Sequence, residues 1–541
     1  MSGAHEAPGR PAARASERLV WALLLAASAA FVGAIVFAVP PNMDEYVHYH
    51  PIACAAFPLA ALHDLRAGCD GRLDLALFGH FLPLRAYRYA GASTALWYWP
   101  LYELFPSRHG PRLLGVVSLF LTSLGIARLA RVPWRVAWLA GAFCVPLAFT
   151  MIVDTGPVGY QVVATVWGVV LVRFLVSQEE GVARARVLAA SVLLGLGLFL
   201  AVEKKPFFVY QLPGLALLGL VLGRLDARAA DGRPGLVVAA ARLVPAGLVL
   251  AILVAILVHA ETRRGYPYLY DLTRVGSSIP LTDLAAQLEH LRTSHLLEYL
   301  TDFRTFGHRV FGFHPGAPEP ATVVWWLLVV LAAALGLRAS SERRGLALRL
   351  VACVLAALVT LVLVNLNRLT WGGHHVIGAW PFLVAGLAFA LQAVWRAGRR
   401  GTVAVLLLAL AATQAWVLRD TLARRPDPVS SWDLVAIHDH LDASGLAEDH
   451  VVVALDWGSY YVKSLYGPRE QLVTWVEPLR EREEARRLRA LARRTGRKLA
   501  VIRRRDTSAD LALLESELPP LERHDVPGTA PDADWQLWLE R

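Results

Sequence analysis

The chain reads as a multi-pass α-helical membrane protein with a small α/β domain at its C-terminal end. Composition is the first reason: 56% of the 541 residues are hydrophobic, 18% are charged, and mean hydropathy is +0.44. Soluble domains are usually about 45–50% apolar and about 25% charged. The second reason is segmentation, because the apolar residues gather into about eleven runs near bilayer-spanning length, roughly 20 residues each. The third is a change of texture after residue 430, where short β-rich runs alternate with charged stretches. The formal net charge of +10 does not point to nucleic acid, since the arginines lie in short loops between apolar runs.

The first run, Leu19–Val39, stops at Pro40-Pro41. It is too long for a signal-peptide core and lacks a clear small-residue cleavage site, so it reads as a retained helix. Directly after it stand two adjacent carboxylates, Asp44 and Glu45. Charges near the centre of a spanning helix are unfavourable by on the order of 3 kcal/mol, so this pair belongs at the membrane face. A stretch at Ala92–Phe105 is aromatic (Trp97, Tyr98, Trp99, Tyr102), short and interrupted by Pro100, the composition of a helix lying in the interface. The remaining spans are read at Leu113–Ala130, Trp134–Val153, Pro157–Leu175, Val187–Val202, Phe207–Leu222, Leu243–Ala260, Ala321–Leu337, Leu350–Leu366, Val376–Val394 and Thr402–Leu418.

Arginine placement orients these spans. Arg10, Arg14 and Arg18 precede the first; later clusters stand at Arg128–Arg135, Arg173–Arg186, Arg224–Arg233, Arg338–Arg344 and Arg396–Arg400. With Ala92–Phe105 interfacial, every cluster falls on the side of the N-terminus, which the positive-inside rule places in the cytoplasm. Residues 1–18 are then cytoplasmic and 19–418 form the transmembrane domain. The loops 40–112 and 261–320 and an α/β domain over 430–541 are expected outside, in a cell inner (plasma) membrane.

The tail suggests strands at His450–Leu455, Gln471–Val476, Lys498–Ile502 and Trp535–Leu539, with helices at Tyr460–Leu465, Pro478–Arg494 and Ala509–Leu518. It carries neither Gly-x-Gly-x-x-Gly nor a P-loop. Asp456-Trp457-Gly458, at a strand end, reads as a turn or a ligand position. Cys144 and Cys353 lie in apolar spans; Cys54 and Cys69 share an outer loop and suit either a disulfide or two free thiols.

Three carboxylates, Asp44, Glu45 and Asp154, reach the outer face on this topology. A carboxylate there can act as general base on an acceptor hydroxyl or amine; each is equally placed to cap a helix. Lys204 and Lys205 stand on the cation-poor side, where lysines hold a lipid phosphate or snorkel to the interface. Arg368 with His374 and His375 can complete an anion site, position a sugar or anchor the interface, and Tyr46 can line the same cleft. In the loop 261–320, Leu281–Leu300 reads as an amphipathic covering helix, and its histidines lack regular metal spacing.

The order and side of these motifs resemble the GT-C superfamily of membrane glycosyltransferases, including bacterial members similar to protein O-mannosyltransferases and the lipid A aminoarabinose transferase. The resemblance rests on Asp44-Glu45 after the first span, the aromatic juxtamembrane helix and Gly110-Pro111-Arg112-Leu113 opening the second span. Asp154, Lys204 or Lys205, and the stretch Arg368 to His374-His375 to Pro381 add to it. It implies a sugar donor on a polyprenyl phosphate and inverting transfer at the outer face to a protein, lipid or glycan acceptor. In that pattern Asp44 is the base or acceptor-positioning residue, Asp154 the second-loop acid, and one of the two lysines the phosphate-side cation. Where the family usually has Pro-Pro before the juxtamembrane helix, this chain has Gly91-Ala92-Ser93, which leaves the acceptor open. Some relatives use a divalent cation such as Mg or Mn, for which the carboxylates offer oxygen ligands. Two other readings are an O-antigen ligase or polymerase working through Arg304 and His308, and a transporter without chemistry; the latter lacks mid-membrane charges and evident repeats.

Overall fold

A computed structural model describes residues 11–41, 43–49, 52, 74–77, 80–83, 85–87, 90–104, 109–153, 158–177, 183–229, 236–263, 279–280, 282–312, 318–367, 373–424, 426, 432–455, 473–475, 482–505, 516, 518–529 and 533–541. It begins with helix α1 (Pro11–Ala38) and the short α2 (Met43–Val47). Two hairpins follow, β1 (Asp74–Leu77) with β2 (His80–Pro83) and β3 (Arg85–Tyr87) with β4 (Ala90–Gly91). The aromatic helix α3 (Ser93–Leu104) contains Pro100 and is too short to span. The bundle continues with α4 (Gly110–Ala130), α5 (Trp134–Ala142), α6 (Val145–Val153), α7 (Tyr160–Ser177), α8 (Arg184–Lys204), a 3-10 turn (Pro206–Gln211) running into α9 (Leu212–Ala229), and α10 (Leu236–Arg263). The second large loop holds α11 (Leu284–Thr293), α12 (Glu298–Thr301), a 3-10 turn (Phe303–Gly307) and α13 (His308–Phe311). Helices α14 (Pro320–Ala339), α15 (Arg343–Asn365), α16 (Gly373–Val376) leading through 3-10 turn Ile377–Ala379 into α17 (Trp380–Arg396), and α18 (Arg400–Leu422) complete it.

Among the described residues, ten helices are long and apolar enough to cross a membrane, or up to eleven if the bent pair α5–α6 is one span. The expected straight span Trp134–Val153 is this pair, bent by 80°. Pro146 cannot donate to the preceding turn, and the Val145 N–H freed at the break instead donates to Gln414 Oε1 of α18 at 2.8 Å. Irregular backbone at membrane depth persists where protein satisfies it. The stretch Gly373–Arg396 is the central span, 89% buried over its apolar window. Small residues let neighbours approach it closely: a Cβ on Gly336 of α14 would lie 2.8 Å from the Ala390 carbonyl of α17. By contrast, 6% of the α10 window is buried, so that helix presents its sides outward, as lipid contact requires.

The covering helix expected at Leu281–Leu300 is interrupted. His295 adopts φ +58, a left-handed conformation that stops α11 before α12 begins. Asp283 caps α11 by accepting from Ala286 N–H.

After α18 the chain forms α19 (Trp432–Ala443), α20 (Leu446–Asp449), β5 (His450–Ala454), β6 (Val473–Trp475), α21 (Arg482–Thr495), β7 (Lys498–Arg504), β8 (Leu521–His524) and β9 (Trp535–Glu540). The sheet order is β6-β5-β7-β9-β8, with β5 parallel to β6 and β7, and β9 antiparallel to β7 and β8. Alternate strand residues serve opposite faces. Val452, Ala454, Ala500 and Ile502 pack with Leu434, Ile437 and Leu441 of α19; Val451, Val453, Leu499 and Val501 pack with Ala485, Leu488 and Leu491 of α21. Strand β8 has little pattern to read, since three of the four residues Leu521–His524 are polar and none is buried, whereas α19 places Leu434, Ile437 and Leu441 at helical spacing. The expected helices Tyr460–Leu465 and most of Ala509–Leu518, and the cysteines Cys54 and Cys69, lie outside the described residues. Cys144 and Cys353 are buried thiols.

Candidate active site

Arg112 organises the start of the site. It sits in the first turn of α4, behind Pro111, and is 1% exposed. Its Nη1 donates to the carbonyls of Val36 (2.8 Å) and Val39 (2.6 Å), and its Nη2 to that of Pro40 (2.8 Å). These carbonyls lie where α1 runs out of intrahelical partners. The same guanidinium grips Glu45 in a two-pronged pair, Nε to Oε2 at 2.9 Å and Nη2 to Oε1 at 2.7 Å. One side chain thus ties the end of the first span, the start of the second and the acidic helix α2 together. Glu45, also 1% exposed, is engaged as an ion-pair partner. The Asp44 side chain, and Asp154 and Arg368 entirely, lie outside the described residues; α6 ends at Val153, immediately before Asp154.

A second knot joins α8 to α3. Ser93 Oγ donates a short hydrogen bond to Glu203 Oε2, and the N–H groups of Ala92 and Ser93 donate to the same carboxylate. The carboxyl group is thereby seated at the N-terminus of α3, where backbone donors are unpaired. Lys204 Nζ donates to the Gly91 carbonyl at 2.8 Å. Gly91 has to be glycine: a Cβ there would sit 1.8 Å from Glu203 Oε1. Gly91-Ala92-Ser93, the departure from Pro-Pro, is thus the docking surface for Glu203-Lys204.

Lys205 follows at the end of α8 and is 6% exposed. Its carbonyl accepts from Gln161 Nε2 at 3.2 Å. Thr165 Oγ1 donates to Gln211 Oε1 at 2.7 Å, and Gly378 leaves room for the Gln211 side chain. Next along the chain, Phe207 meets the His375 ring at 5.0 Å between centroids, and Asn367 Nδ2 donates to Tyr210 Oη at 2.9 Å. His374 and His375 are buried, their rings 3.8 Å apart, and His374 stacks toward His308 at 6.4 Å. His308 in turn meets Tyr299 at 5.7 Å. The structure therefore brings His374 and His375 together with His308 of the second large loop, and sets His375 against Phe207, two residues after Lys205.

Tyr46 belongs elsewhere. It is buried with Tyr49, Ala95 and Tyr98 in the core shared with α19 and the sheet, so it packs α2 and α3 against the C-terminal domain. Arg304 is held by Asp302 (2.7 Å) and Asp420 (2.8 Å), which fasten the second loop to the end of α18 and hold its guanidinium well above the usual range, chiefly through the Asp302 hydrogen bond.

Sequence reasoning passed over Glu203, Ser93 and the pairing role of Arg112. A carboxylate beside a lysine at a span end was the available signal for Glu203; the other two partners lie 110 and 67 residues away from theirs.

Beneath the second knot lies an apolar cavity of about 540 Å³ between α3, α4, α7 and α8, lined among others by Trp97, Leu114, Tyr160, Trp167, Leu194 and Leu198. Tyr160, which lines the cavity, lies near Glu203 and hydrogen-bonds with Trp97, so the buried polar cluster stands beside the cavity at that residue.

This architecture defines a multi-pass membrane protein with the GT-C fold. The solved structures it matches include ArnT from Cupriavidus metallidurans bound to undecaprenyl phosphate, with a TM-score of 0.54 and 13% identity over 96% of this chain and 97% of that one. The apo state of the same protein matches at 0.50, with the same identity and coverage. No family model matches the sequence, and no curated protein sequence matches it.

Proposed function

We propose that the chain is an inverting glycosyltransferase of the inner membrane, moving a sugar from a polyprenyl-phosphate donor to an envelope acceptor at the outer face. The observation that carries this reading is the apolar cavity among membrane-spanning helices, with a buried polar cluster beside its lining residue Tyr160. An isoprenoid chain needs the former and a phosphate-sugar head group the latter. The neighbour's binding of undecaprenyl phosphate supports the same donor class. The arginine clusters orient the N-terminus to the cytoplasm and the site outward.

In the reaction, an acceptor oxygen or nitrogen attacks the anomeric carbon from the face opposite the phosphate. The bond from that carbon to the phosphate oxygen breaks, and polyprenyl phosphate departs with the electron pair. Asp44 takes the acceptor proton, with Asp154 as a second acid facing the acceptor. Lys205 and Arg368 hold the phosphate charge as it develops; Lys204 acts through Gly91 to seat α3. His374 and His375 bind the sugar or phosphate oxygens. Glu45, gripped by Arg112, is a positioning residue that fixes α2 beside the cleft. No step is assigned to Mg or Mn: Glu45 is engaged by Arg112, and among the described residues no three His, Cys, Asp or Glu side chains converge as metal ligands.

The test is transfer from labelled polyprenyl-phosphate sugars to envelope acceptors by purified wild type, Asp44→Asn, Asp154→Asn and Lys205→Ala. Loss of transfer in Asp44→Asn, with donor binding kept, is expected. A fully active, folded Asp44→Asn enzyme would move the chemistry to the Arg/His loop.

A further inference from the structure

The bundle carries a second cavity, this one polar, at the opposite end of the helices that hold the candidate site. Arg112 opens α4 while Arg131 closes it, and Gln161 begins α7 while Arg173 nears its end. Along α4 the two ends lie on the order of 25 Å apart. The cavity measures about 610 Å³ and is lined by Arg131, Arg173, Arg349 and Arg396, with Asp226 and Glu342 as its carboxylates.

The charges do not balance. Three arginines converge on Asp226: Arg173 at 2.5 Å, Arg131 at 3.2 Å and Arg349 at 3.9 Å. Glu342 is exposed at the rim, and its side chain does not cap α15, whose first turns face the cavity. The net positive lining calls for an anion, and planar guanidinium groups suit phosphate oxygens. Gln392 adds a second requirement. It lines the cavity at 8% exposure, and its Oε1 is buried without a hydrogen-bond partner. A buried acceptor of this kind wants a donor, which the dianionic phosphoryl group of an ester lacks and a hydroxyl elsewhere on the same ligand supplies. Phe389 and Leu346 complete an apolar wall.

We infer that this cavity binds a phosphate ester carrying hydroxyl groups, of the class of a sugar phosphate or a phosphoglycerol lipid head group. The arginines hold the phosphate, and a hydroxyl of the ligand donates to Gln392. On the orientation argued above, the ligand arrives from the cytoplasmic side, so the site is separate from the outward one. Occupancy would clamp the ends of α4, α7, α9, α15 and α17 together.

The test uses full-length protein in nanodiscs. In one arm, glucose 6-phosphate and sn-glycerol 3-phosphate are titrated by calorimetry in phosphatidylcholine discs. In the other, retention of phosphatidylglycerol against phosphatidylcholine is counted by native mass spectrometry. Saturable binding is expected in at least one arm, weakened about tenfold by Arg349→Gln and by Gln392→Leu, and unchanged by Lys205→Ala at the opposite end. Arg396→Gln, at an exposed residue, serves if either variant fails to fold. Binding in the first arm alone assigns a soluble sugar phosphate, and in the second alone a lipid head group. No saturable binding in either arm, or binding that folded variants leave unchanged, overturns the inference.

Discussion

At the scale of single residues, Arg112 ties the end of α1 and the acidic helix α2 to the start of α4. It answers three carbonyls and both oxygens of Glu45 from a position 1% exposed. Removing one member of a buried pair leaves the other charge uncompensated, typically at a loss of about 3–5 kcal/mol. Arg112→Met is therefore expected to lower thermal stability sharply, and adding Glu45→Gln to recover part of it. Melting curves of the single and double variants in detergent read this directly; equal loss in both would argue against the pair. Gly91→Ala drives a methyl group into Glu203. It should undock α3 and lower transfer, an effect seen as increased proteolysis near Trp97.

At the scale of elements, the break between α5 and α6 depends on one side chain from another helix. Gln414, wholly buried, accepts from Val145 N–H. Gln414→Leu keeps the volume but orphans that donor, which should destabilise the protein by about 1–3 kcal/mol. Hydrogen exchange at Val145 should rise with it; unchanged protection there would show that the break is satisfied otherwise. Since Val153 ends α6 directly before Asp154, a loosened break should also weaken acceptor transfer.

At the scale of the whole molecule, the C-terminal domain is joined to the first large loop through one shared core, in which Tyr46, Tyr49 and Tyr98 meet Leu434, Ile437 and Leu441. Deleting 430–541 exposes those tyrosines and frees α2. Transfer is expected to fall while binding of a polyprenyl phosphate persists, because the apolar cavity draws on none of the deleted residues. Loss of lipid binding in a folded truncation would place the donor site across both parts. The same domain should respond to acid. Burial, reinforced by the facing His524 ring, holds His440 below its usual 6.5, and burial does the same to His450. A histidine whose pKa is lowered on folding contributes stability that is intact above about 6.5 and lost as pH falls through its folded value. Melting temperature should therefore drop below pH 6.5, and His440→Asn should flatten the slope.

The sequence by itself determined the membrane class, the approximate spans, the short aromatic helix within Ala92–Phe105 and the β-strands at His450 and Lys498, because hydropathy and period are local properties of the chain. It also singled out Lys205, His374 and His375 as candidates, since charges and histidines at span ends stand out against apolar surroundings. It did not reveal that Glu45 is bound by Arg112, that Lys204 belongs to the docking of α3, or that Tyr46 is a core residue. Those are decided by partners tens to hundreds of residues away. The 80° bend and the left-handed His295 were equally hidden, because what stabilises each is three-dimensional packing rather than local pattern. Only the tertiary structure brings residues as distant as Gln414 and Val145 within hydrogen-bonding reach, and burial is what makes such pairs decisive.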